Sequence, residues 1–120
     1  MSTLAAYIEQ HLQTPFEWGR HDCVLFAARW VQIATGVDHL AGVPPWHGER
    51  EALRMLRECG GLEALLDARF ARVHPNMAHD GALAIYENSV CIVTGAHIVG
   101  PGLSGLTFNP RTLATCAWQF

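Results

Sequence analysis

Phe16-Glu17-Trp18-Gly19-Arg20-His21-Asp22-Cys23 runs directly into Val24-Leu25-Phe26-Ala27-Ala28-Arg29-Trp30-Val31-Gln32-Ile33-Ala34-Thr35-Gly36. The second half of that stretch reads as one helix, with Asp22 as its N-cap and Gly36 as its stop. Only Arg29 and Gln32 interrupt the apolar surface. A helix that is apolar nearly all round belongs at the centre of a fold. Upstream, Leu4, Ile8 and Leu12 recur every four residues and give a short amphipathic helix. Thr14-Pro15 ends it, because proline pushes the residue before it out of the helical region.

Downstream, Val37 to Trp46 contains Gly42 and Pro44-Pro45 and reads as an irregular loop. A third helix runs from about Glu49 to Cys59 and is closed by Gly60-Gly61, and Leu62, Leu65 and Leu66 mark a short fourth. From Ala71 the texture changes to short apolar runs: Leu83–Tyr86, Val90–Val93, His97–Val99, Leu106–Phe108 and Cys116–Trp118. Turn residues separate them, as in an antiparallel meander or small half-barrel. Helices first and strands after describe an α+β domain over residues 1–120.

Half of the 120 residues are hydrophobic and 16% are charged, which excludes a disordered chain. The formal net charge is −3 and there is no Lys/Arg cluster, so nothing marks a nucleic-acid or anionic-membrane surface. No lysine occurs at all, which excludes lysine Schiff-base chemistry. The N-terminus lacks a basic segment followed by an apolar run, and no apolar stretch reaches the roughly 20 residues of a membrane span. A cytoplasmic site of synthesis with reduced thiols is the expectation. Cys23, Cys59, Cys91 and Cys116 form no C-x-x-C pair, so neither a metal site nor a disulfide scaffold is expected.

Trp18-Gly19-x-x-Asp22-Cys23 puts a thiol on the first turn of the buried helix. Unpaired N–H groups and partial positive charge there favour a thiolate and can hold an oxyanion. Asp22 opposes this, since an adjacent carboxylate disfavours a second anion. By itself a cysteine near a helix start is more often plain packing.

The stretch Phe16-x-Trp18-Gly19-x-x-Asp22-Cys23 resembles the nucleophile region of the NlpC-type, papain-like cell-wall cysteine peptidases. The later order, with Asp80-Gly81 opening a strand and a hairpin after it, is similar too. A closer likeness is to small phage proteins of this superfamily encoded among tail genes, whose ending matches Gly105-Leu106-Thr107-Phe108-Asn109-Pro110 and Ala117-Trp118. The resemblance implies an NlpC-type domain in which Trp18, Gly19 and Asp22 shape a cleft beside Cys23, with no cofactor. This chain departs from it in two ways. Val24-Leu25 stands where active members have Ser-Gly. Ser89 occupies the position of the general-base histidine, and neither Val99 nor Gly100 can orient a histidine. His97 is the replacement base to consider, with His21 second. His74 and His79 flank a turn, and His11, His39 and His47 form no pattern.

Two functions follow as expectations. The first is a phage tail-tip, baseplate or tail-assembly protein that keeps the peptidase fold without the full catalytic triad. It would contact other phage tail proteins, residing in the host bacterial cytoplasm during assembly and then in the virion tail. The alternative is an active peptidase or amidase that cleaves peptidoglycan stem peptides during phage entry, with Cys23 attacking and His97 moving the proton. Neither reading involves nucleic acid or membrane insertion. A docking surface is expected around Val43 to Trp46 and at the C-terminal Trp118-Gln119-Phe120, while Trp30 reads as core and core packing is also the favoured role for Trp118 itself.

Overall fold

The structure, a computed structural model, describes residues 3–120. Four helices come first: α1 (Thr3–His11), α2 (Cys23–Thr35), α3 (Glu49–Cys59) and α4 (Leu62–Asp67). Six strands follow: β1 (Ala71–Val73), β2 (Leu83–Tyr86), β3 (Ser89–Thr94), β4 (His97–Gly102), β5 (Gly105–Pro110) and β6 (Cys116–Gln119). All pair antiparallel in the order β1-β6-β2-β3-β4-β5. The α+β architecture expected from the sequence is therefore observed.

α2 begins and ends where its local signals place it. The Asp22 carboxylate accepts from the Leu25 N–H, and Gly36 closes the helix in a left-handed conformation with its N–H on the Gln32 carbonyl. Its first two turns insert Val24, Phe26, Ala27, Trp30 and Val31 against one face of the sheet, on Leu83, Ile85, Val90, Ile92 and Val99. Burying each larger side chain contributes about 2 kcal/mol, so this face carries much of the fold's stability. The last turn is different: Ile33 is 50% exposed, so the helix is central only as far as Val31. Leu12, expected on the buried stripe of α1, lies past the helix end and is exposed, while Tyr7 takes a core position instead.

The opposite face of the sheet carries a smaller cluster of Ala82, Ala84, Cys91, Val93, Ile98 and Ala117. Turns at Pro75–Met77 and Arg111–Leu113 lie near one another and are tied by the Arg111 guanidinium, which donates to the carbonyls of Gly95, Pro75 and Ala78. Burial on both faces explains why β2 and β3 are continuous apolar runs and do not alternate.

β1 is the element the sequence did not reveal. Ala71-Arg72-Val73 is short and exposed, and it becomes a strand only because β6 pairs with it. β6 lies between β1 and β2, and its Trp118 is fully buried with its indole N–H on Asp67 Oδ1 at 2.8 Å. Arg72 lies over that ring at 5.1 Å and pairs with Asp67 and Glu63. The expected C-terminal docking surface thus loses Trp118 to the core and keeps only a half-exposed Phe120.

Candidate functional site around Cys23

Three donors converge on the Asp22 carboxylate. Oδ1 accepts from Leu25 N, and Oδ2 accepts from Gly19 N at 2.9 Å and from the Trp46 indole N–H at 2.7 Å. Asp22 is only 1% exposed, so these bonds replace all of its water. Gly19 sits at φ +78°, and a Cβ there would collide with the Trp46 carbonyl. The Trp-Gly-x-x-Asp segment is therefore a lock: it caps α2 and clamps the α2–α3 loop onto the helix start. Trp46, expected as an exposed docking residue, is buried, with its indole N–H on the Asp22 carboxylate.

Cys23 is the first residue of α2 and is partly buried. Burial pushes its thiol pKa up, and the neighbouring Asp22 charge adds to this. Backbone hydrogen bonds from Val90, Val24 and Cys23 itself pull it down without reversing the shift. The balance favours the neutral thiol over the thiolate, in spite of the helix N-terminus.

Cys23 lines a cavity of about 150 Å³ with Tyr86, Glu87, Ser89, Val90, Cys91, Gly100, Pro101, Thr107 and Asn109. No histidine lines it. Ser89 is present, as is Gly100, one of the two positions that would carry an orienting residue. His97 is exposed at the start of β4, three residues before Gly100, or about 10 Å along a strand. It packs near Phe108, with ring centroids 6.5 Å apart. His21 is buried but turns toward α1, its ring 5.2 Å from His11 and 5.4 Å from Phe26. Trp18 stands at the surface, edge-on to Phe16 at 4.8 Å. The structure therefore joins Gly19 and Asp22 at the start of α2 beside Cys23 and places Ser89 in the Cys23 cavity, but Trp18 and His97 do not line that cavity.

Cys91 is the cavity residue that the sequence reading passed over. Burial, together with the adjacent Cys23, pushes its thiol up to about 12. Strand alternation carried the signal, because residues 89 and 91 share a face. Thr107 and Asn109 come from β5, which pairs with β4 as the meander reading expects, but nothing local shows that they reach the Cys23 cavity. A larger hollow of about 870 Å³ runs along α3 between Arg50 and Arg57, an open surface groove with no nucleophile. Among the described residues, no group of three or more His, Cys, Asp or Glu converges to hold a metal.

A family model described as "Domain of unknown function (DUF6950)" matches residues 1–120. The chain belongs to that family. A comparison with curated proteins finds no match. Among solved structures, the DUF6950 chain is similar to the NlpC/p60 domain of the peptidoglycan hydrolase SagA, with a TM-score of 0.65 and 16% identity. That match covers 98% of this chain and 96% of the other. At this identity the likeness establishes the fold: the DUF6950 chain has the NlpC/p60 architecture, as the motif around Cys23 leads one to expect.

Proposed function

We propose that the chain is a non-hydrolytic NlpC/p60-type domain that serves as a structural component of a phage tail tip, baseplate or tail-assembly complex. The observation that carries the non-hydrolytic part is the Cys23 cavity. Ser89 rather than a histidine stands in it, so nucleophile and base are not paired, and burial favours the neutral thiol. In this reading the cavity persists as a polar notch able to hold a peptide without cutting it. The tail assignment rests on the likeness of the Trp18–Cys23 segment and of the Gly105–Pro110 and Ala117-Trp118 ending to small tail-cluster proteins. The partners would be other tail proteins, met in the host cytoplasm during assembly and retained in the virion.

The test is the alkylation rate of Cys23 by iodoacetamide as a function of pH, resolved by mass spectrometry from the other three cysteines. It is read alongside incubation of the protein with peptidoglycan stem peptides. Labelling no faster than that of Cys116, with intact peptides, is expected. Rapid labelling well below pH 8, or cleavage of a stem peptide, would establish an active peptidase instead. Mass spectrometry of purified virions decides the tail assignment separately.

A further inference from the structure

His21 is the one described side chain with a buried polar atom, Nε2, that reaches no hydrogen-bond partner in the protein. The residue is 5% exposed and its ring lies 5.2 Å from that of His11 on α1. The segment between the two histidines does a specific job. The Leu12 carbonyl accepts from Leu106 N at 3.0 Å, and Phe16 N donates to the Gly102 carbonyl at 2.8 Å. Gly105 packs so closely on the Leu12 carbonyl that a Cβ there would collide with it. Leu12 to Phe16 therefore covers part of the outer edge of β5, the last strand of the sheet on that side.

We propose that His11 and His21 form a proton-triggered latch: protonation of the pair releases the Leu12–Phe16 segment from the β4–β5 hairpin and uncovers the edge of β5.

The groups facing the pair leave no place for a new cation. From α1 comes Tyr7, 4.9 Å from His11, whose hydroxyl is engaged on the Phe26 carbonyl. From α2 come the apolar Phe26, the cationic Arg29, which disfavours charge on both histidines, and Asp22, whose charge offsets part of this at His21 but whose oxygens already accept three bonds. In the turn, Glu17 is paired with Arg20 at the surface. A proton on His21 Nε2 would be a buried donor with nothing to receive it. Burial and the neighbouring cations hold both imidazoles below their ordinary range. The segment released to water takes up the proton at an ordinary imidazole pKa of about 6.5. One histidine of this kind shifts the opening equilibrium by up to about 30-fold between pH 7.5 and 5.0. The open state leaves the Leu106 N–H unpaired on the outer edge of β5 and the Gly102 carbonyl unpaired at the end of β4, and an unpaired strand edge is a template for an added strand.

Amide hydrogen exchange by NMR at pH 7.5 and 5.0, expressed as protection factors, tests this on the intact protein. Phe16 and Leu106 are expected to lose up to about 30-fold in protection at pH 5.0, while Ile92 and Val99, paired mid-sheet, keep theirs. His21→Phe is expected to abolish the loss. If that variant does not fold, His11→Phe at its half-buried position must blunt it. Unchanged protection of Phe16 and Leu106 in the natural sequence would overturn the proposal. So would an equal loss at Ile92 and Val99, or an undiminished loss in a folded variant.

Discussion

Replacing Asp22 with alanine removes all three bonds of the lock at once, and the size of the effect follows from its parts. Loss of an N-cap costs about 1 kcal/mol. The Trp46 indole N–H is left buried without an acceptor, which costs about 1–3 kcal/mol. Gly19 N is less enclosed and adds about 1 kcal/mol. The expected destabilisation is about 3–5 kcal/mol, a large fraction of the roughly 5–15 kcal/mol typical of a domain. With a urea m-value near 2 kcal/mol/M, the unfolding midpoint should fall by about 2 M at constant m. Trp46→Phe should cost less, since it removes one donor and leaves the carboxylate with two. In the double variant the costs should not add, because much of the penalty of each change lies in the partner it strands. Denaturation of Asp22→Ala, Trp46→Phe and the double variant provides the cycle. A loss for Asp22→Ala below about 1 kcal/mol, or strict additivity, would mean that Asp22 is an ordinary cap and the lock does not hold the loop.

Gly19→Ala should destabilise by more than about 2 kcal/mol, through a positive φ and collision with the Trp46 carbonyl; a thermal melt within about 2 °C of the natural sequence would contradict this. Ser89→His places an imidazole in the Cys23 cavity and should raise iodoacetamide labelling of Cys23 at pH 7 by tenfold or more, whereas an unchanged rate would show that residue 89 does not reach the sulfur. Burial raises the Tyr7 phenol to about 12, above its ordinary value of 10.0. Its contribution is complete below pH 10 and is lost as pH rises through 12, worth roughly 2–3 kcal/mol over that window. Tyr7→Phe should flatten that part of the stability–pH curve, and an equally steep decline in the variant would assign the effect elsewhere.

What could be read from the chain was what is locally encoded. Asp22 and Gly36 bracket α2, and Gly60-Gly61 closes α3, through hydrogen bonds made within a few residues. The hairpin turns were equally legible: Glu87 and Asn88 both adopt positive φ between β2 and β3. What escaped was long-range. Nothing in Val43-Pro44-Pro45-Trp46 announces a carboxylate 24 residues earlier, so an aromatic after two prolines reads as exposed when it is buried. The surroundings of His97 were hidden in a related way. Its position at a strand start was visible, but which end of β4 faces Cys23 depends on how α2 crosses the sheet. Ser89 was placed beside Cys23 by family likeness, and residues 105–110 only by the fold.

The insertion of β6 between β1 and β2 has a kinetic consequence. No contact between neighbours in sequence can close this half of the sheet; it waits for a segment whose anchoring bond, Trp118 to Asp67, spans 51 residues. Loop closure of that length must precede any reward from pairing, which raises the folding barrier. Until β6 arrives, the apolar side of β2 and the flank of β1 stand open together. The helices and the β2–β5 meander can organise early from short-range contacts. The slow step, and the interval of greatest exposure to aggregation, belongs to a four-residue strand next to the edge of the finished sheet.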